Sequence, residues 1–155
     1  MIRPGYIRWI LLAEAVGALS GFLSRKGTEF YSIYVHKPSF SPPDWLFPVA
    51  WGILYALMGI GAARVEAQLP GKVRSRGLNL FILQLIVNFF WSLIFFNARA
   101  YGGALLWLLL LIVLVAAMTL TFYKTDKWAA CLQIPYLLWL GFAGVLNWAV
   151  WQLNR

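Results

Sequence analysis

Apolar positions along this chain gather into five long blocks, at about 6–24, 46–63, 78–96, 103–122 and 128–153, and the stretches between them hold nearly all the charges and most of the turn-forming residues. A hydrocarbon layer of about 30 Å takes roughly 20 helical residues at about 1.5 Å each, and each block has about that length. The pattern therefore predicts an all-α integral membrane protein, a bundle of five transmembrane helices in a single domain over 1–155. The connectors, 25–44, 64–77, 97–102 and 123–127, read as loops. In the longest of them, Ser41-Pro42-Pro43-Asp44 reads as the start signal of the second spanning helix: Ser41 can cap, proline suits a first turn, and Asp44 favours the positive helix end.

Composition strengthens this reading. The hydrophobic class makes up 62% of the chain and charged residues only 12%, against about 45–50% and about 25% in soluble domains. The first block carries Glu14 and two glycines with no small-residue cleavage site leading out of it, so it is expected to remain as a helix. The formal net charge of +8 comes from basic residues spread over helix ends, without the concentrated basic face that nucleic acid requires. Their distribution predicts topology instead. Arg3, Arg8, Arg64, Lys72, Arg74, Arg76, Lys124 and Lys127 lie on the side of the N-terminus, and Arg25, Lys26, Lys37, Arg99 and Arg155 on the other. The positive-inside rule then places the N-terminus in the cytoplasm of a bacterial cell membrane. Cys131 is the single cysteine and His36 the single histidine, so neither a disulfide nor a metal site is expected.

Polar groups inside hydrocarbon are costly and mark candidate sites. Here they are Glu14, Gln84, Asn88, Ser92, Asn147 and Gln152. Helical spacing gathers three stripes: Trp51, Tyr55 and Met58; Gln84, Asn88, Trp91 and Phe95; Tyr136, Trp139, Ala143 and Asn147. Each set can simply pack helix on helix. Together, though, they pair large flat rings with isolated hydrogen-bonding groups, a lining suited to a flat amphipathic ligand. The fourth block is different: Gly103–Val115 is almost all Leu, Ala, Ile and Trp107, offers no polar group suited to such a ligand, and reads as a lipid-facing wall. On the first block, Ala13, Gly17 and Gly21 make a flat strip that fits either an internal seam or a homodimer face.

The string from Lys37-Pro38-Ser39-Phe40-Ser41-Pro42-Pro43-Asp44-Trp45 through Trp51, with Leu54-Tyr55 and Met58-Gly59, resembles the signature of the tryptophan-rich sensory protein and translocator protein family, TspO/MBR. The resemblance continues through Asn88-Phe89-Phe90-Trp91-Ser92, and through Pro135-Tyr136-Leu137-Leu138-Trp139 to Leu146-Asn147, and covers most of the chain. It implies a five-helix membrane protein that binds protoporphyrin or haem as a ligand, with no cofactor required. Trp51 and Trp139 match the tryptophans associated with porphyrin binding and its light-driven breakdown; Asn88, Tyr55 and Ala143 match pocket positions. The family's Trp-Tyr pair before Lys-Pro is Phe30-Tyr31 here, and a Trp stands at 148 where the animal cholesterol consensus has a tyrosine, so sterol binding is not expected.

The expected function is thus a tetrapyrrole-binding sensory or regulatory membrane protein, the alternative being a transporter of porphyrins or other small amphipathic molecules. The expected ligand-binding residues are Tyr31, Trp51, Tyr55, Gln84, Asn88, Trp91, Phe95, Trp139, Ala143 and Asn147, with Arg25, Lys26 or Lys37 pairing with propionates. No acid/base pair, nucleophile triad or metal set points to an enzyme. Photo-oxidation at Trp51 and Trp139 is the one chemistry that fits.

Overall fold

A computed structural model describes residues 3–155, and the described residues contain seven α-helices and no strand. They are α1 (Pro4–Leu23), α2 (Arg25–Tyr34), α3 (Leu46–Glu66), α4 (Lys72–Ser92), α5 (Tyr101–Thr125), α6 (Lys127–Cys131) and α7 (Ile134–Leu153), with a π-helical turn at Leu93–Asn97. Five spans are long and apolar enough to cross a bilayer: α1, α3, α4 with the π turn, α5, and α6 with α7. Large apolar side chains such as Leu11, Ile53, Leu106, Val113 and Leu138 are exposed around the outside, as lipid-facing residues are.

Local sequence explains most of the boundaries. Pro4 occupies the first turn of α1, where its missing N–H leaves nothing unpaired. Asp126 caps α6, accepting from the backbone N–H groups of Trp128 at 2.8 Å and Ala129 at 3.2 Å. Pro135 cannot donate to a preceding turn, and the fifth span is accordingly interrupted at Leu132–Gln133 before α7 begins. α3 starts at Leu46 as the Pro-Pro-Asp signal predicts, but its side-chain cap does not form. Asp44 instead accepts a hydrogen bond from the Ser32 hydroxyl, and the Ser41 hydroxyl is buried without a partner.

The connector 25–44 is not a plain loop. Its first ten residues form α2, because Ser24, Gly27, Tyr31 and Val35 recur at helical spacing and give it one face to bury. That face lies on the π turn, where a Cβ at Gly27 would sit 2.6 Å from the Phe96 carbonyl oxygen, so only glycine allows the approach. The turn itself closes with wider bonds, Ala98 N–H to Leu93 O at 2.9 Å among them. Single π turns inside helices are frequent at functional sites.

α1 lies on α3 and α4, α4 on α5, and α5 on α7. The Ala13–Gly17 strip forms the internal seam with α3: Ala13 is fully buried, and Tyr55 packs on Gly17. Across the same seam a Cβ at Gly59 would lie 2.5 Å from the Ile10 Cα. Arg8 and the Trp9 indole both bond to Glu66 and tie the N-terminal end of α1 to the C-terminal end of α3. α3 and α7 scarcely meet backbone to backbone, and between them lies the site.

Candidate functional site: an aromatic cavity inside the bundle

Where the backbones of α3 and α7 stand apart, aromatic rings bridge the gap. Trp51 meets Trp139 edge to face with ring centroids 6.3 Å apart, and Phe47 and Phe142 extend the cluster at 6.1 and 5.5 Å from Trp139. These rings form one side of a cavity of about 560 Å³ whose other walls come from α1, α2, α4 and the π turn. Ligand pockets typically hold about 300–1,000 Å³ and pair mostly apolar walls with a few fixed polar groups.

The structure brings nine of the ten expected ligand-binding residues to this cavity: Tyr31, Trp51, Tyr55, Asn88, Trp91, Phe95, Trp139, Ala143 and Asn147. Gln84 does not reach it. Fully buried, its amide oxygen accepts from the Tyr136 hydroxyl at 2.7 Å and its nitrogen faces the Met58 sulfur at 3.7 Å. Tyr136 in turn accepts from Asn88 at 2.9 Å. Gln84 thus serves to place Asn88 and Tyr136, one turn behind the wall.

Of the three basic candidates, Arg25 alone is on the wall, where its guanidinium donates to the Phe22 carbonyl at 2.8 Å and lies over the Phe22 ring. Lys26 is exposed and does not line the cavity. The Lys37 ammonium points to the end of α2, donating to the carbonyls of Tyr31 at 3.1 Å and Ser32 at 2.9 Å, so it acts as a cap for that helix. His36 is exposed, and its backbone is clamped on both sides by the Asn154 amide.

Several polar groups on the wall already have protein partners. The Trp91 indole donates to Asn147 at 3.2 Å, and the Asn147 amide donates to the Tyr101 carbonyl at 2.8 Å, which locks α4, α5 and α7 together. The Trp139 N–H, by contrast, is buried and has no partner. The Tyr31 hydroxyl is also buried without one. Its phenol is pushed up to about 12, chiefly by burial; Tyr101 and the Asp44 carboxylate raise it further while Ser41 opposes them.

Phe47, Phe142, Phe96 and Asp44 are among the wall residues not singled out from the sequence as ligand contacts. Phe47 sits one turn before Trp51 and Phe142 one turn after Trp139, so both extend stripes already visible there. Phe96 and Asp44 carried no such signal, since the π turn and the docking of α2 bring them in. No residue of α5 lines the cavity.

The chain matches the sequence model of the TspO/MBR family over residues 9–152. It belongs to that family. It is 40% identical to the human protein named translocator protein, over 93% of this chain and 87% of that one. It is 38% identical to protein CrtK of Rhodobacter capsulatus over 92% of this chain and 89% of that protein. A tryptophan-rich sensory protein of Cereibacter sphaeroides is likewise 38% identical, over 83% of this chain and 79% of its own length. Membership accounts for the five spans in one integral, multi-pass membrane protein.

Proposed function

We propose that this chain is a membrane sensor or regulator of tetrapyrroles, which binds protoporphyrin or haem in the cavity between α1, α3, α4 and α7. The observation that carries the reading is the convergence of Trp51, Tyr55, Trp91 and Trp139 on one space with an unpartnered indole N–H, while the Asn147 amide is used up within the protein. A flat macrocycle finds aromatic faces along its rings and one donor at a fixed place, and its carboxylates find Arg25 at the mouth. The name of the Cereibacter sphaeroides relative, a tryptophan-rich sensory protein, supports the sensory role. The excess of basic residues on the N-terminal side supports a cytoplasmic N-terminus, with the mouth of the cavity on the opposite face of the membrane.

Light-driven degradation is proposed as a second property of the same site. The ring planes of Trp51 and Trp139 are 85° apart on the wall, and an excited porphyrin held against them meets easily oxidised groups in their indoles. Titration of the purified protein with protoporphyrin in the dark, followed by tryptophan quenching, tests the binding. Trp51→Ala and Trp139→Ala should each weaken it about 3- to 10-fold, the worth of one aromatic contact. An unchanged dissociation constant in both variants overturns this placement.

A further inference from the structure

A carboxylate halfway along a membrane span demands an explanation. Glu14 lies near the middle of α1, is only half-buried, and lines the cavity. Among the described residues it has no ion pair and no hydrogen bond, although Arg8 and Arg64 both find carboxylate partners elsewhere. Tyr55 packs over Gly17, one turn further along the same face. The charged groups on the cavity wall are two carboxylates, Glu14 and Asp44, and one guanidinium, Arg25. A chain whose formal net charge is +8 therefore encloses a cavity in which carboxylates outnumber cations.

The three are not placed alike. Arg25 follows Glu14 by eleven residues, beyond the helix break at Ser24, and lies with Asp44 at the α2 end of the cavity. The Asp44 carboxylate is already engaged by the Ser32 hydroxyl. Glu14 stands at the other end, among Gly17, Ala18 and the Tyr55 ring. An ionised group in such surroundings is costly until a counter-charge arrives, and a cation entering beside tyrosine and tryptophan faces gains from their ring quadrupoles as well.

We propose that Glu14 makes the inner end of the cavity a cation-selective subsite, so that the cavity takes flat aromatic ligands bearing one protonated amine or amidine as a second class beside the tetrapyrrole. The inference rests on the cavity being a ligand site, but not on the identity of the tetrapyrrole. For a porphyrin diacid the same carboxylate acts by repulsion, holding the propionate edge toward Arg25 at the mouth.

Equilibrium dialysis of the protein in a zwitterionic detergent with two probes tests this: 9-aminoacridine, which is protonated at neutral pH, and acridine, its neutral analogue of nearly the same shape. The wild type should prefer the cation by about 10-fold or more, the worth of one charge-assisted contact. Glu14→Gln keeps the shape, removes the charge, and should bring the two affinities within about 2-fold. Asp44→Asn should leave the preference standing. A wild type that binds both probes equally overturns the inference without need of any variant. So does a Glu14→Gln protein that still binds protoporphyrin and still prefers the cation. Loss of preference in Asp44→Asn alone moves the subsite to the mouth and equally overturns it. If the wild type fails to bind protoporphyrin yet shows the Glu14-dependent preference, the tetrapyrrole reading falls and this one stands.

Discussion

Replacing Tyr136 with Phe keeps its ring against Trp51 and removes one oxygen, and that oxygen holds two buried amides at once. It accepts from Asn88 at 2.9 Å and donates to Gln84 at 2.7 Å, and the exposures of Tyr136, Gln84 and Asn88 are 1%, 0% and 3%. Their losses differ in kind. Asn88 borders the cavity and can turn to a water or a ligand, whereas the Gln84 side chain is fully buried and Tyr136 is the one donor bonded to its oxygen among the described residues. An orphaned buried group costs about 1–3 kcal/mol in soluble proteins; hydrogen bonds measured within membrane bundles average about 0.6 kcal/mol, with a maximum of about 1.7. The missing alternative for Gln84 places Tyr136→Phe near the upper end of the membrane range, at about 1–2 kcal/mol. Gln84→Met removes the other end and leaves the hydroxyl without its acceptor, at a cost of about 1 kcal/mol. Because the double variant leaves neither orphan, the two costs should fall short of additivity by about 1 kcal/mol. Unfolding equilibria in mixed detergent micelles, followed by the helix signal, measure all four corners of the cycle. Gln84 and Tyr136 act on the cavity only through Asn88, so any loss of protoporphyrin affinity should not exceed that of Asn88→Ala. Additive costs, within about 0.3 kcal/mol, would refute the view that Gln84 is a placing residue.

Replacing Trp51 or Trp139 with Phe should preserve much of the packing but remove the oxidisable indole, so binding should survive while light-driven loss of protoporphyrin falls; wild-type rates of product formation in both variants would make these tryptophans packing residues only. Arg25→Gln should lower affinity for the porphyrin diacid about 2- to 5-fold, since the side chain is exposed and its ion pair is screened, and leave the dimethyl ester unaffected; equal losses for both ligands would rule out propionate pairing. Tyr31 supplies a pH dependence. Its phenol stays protonated in the folded protein up to about 12, whereas an unfolded tyrosine releases its proton near pH 10. The stability drawn from keeping it neutral is therefore complete below about pH 10 and is lost as pH rises toward 12. Hydrogen exchange in α2 should accelerate over that window, and Tyr31→Phe should flatten the rise; identical alkaline profiles would show that Tyr31 does not anchor α2.

The five spans were legible in the sequence because the bilayer imposes one length on every helix and tolerates few charges within it. Stripes at three- and four-residue spacing were legible for a similar reason, since the helical period alone decides which residues share a face. That placed Trp51 with Tyr55, and Trp139 with Ala143 and Asn147, and motif order tied them to a family. Periodicity does not say what stands opposite a face. Gln84 and Asn88 lie one turn apart on the same stripe, yet only Asn88 reaches the cavity, because Tyr136, 52 residues from Gln84, claims the glutamine. Lys37 looks in sequence like a cation for a ligand, and its nearest acceptors prove to be carbonyls of its own connector. α2 and the π turn went unread because each is held by the other, Gly27 against the Phe96 carbonyl, and neither contact exists until the chain has closed. The same holds for Glu14: its position in mid-membrane is a property of the sequence, but its place on the wall, with no protein partner, was decided by α1 seating its glycines on α3.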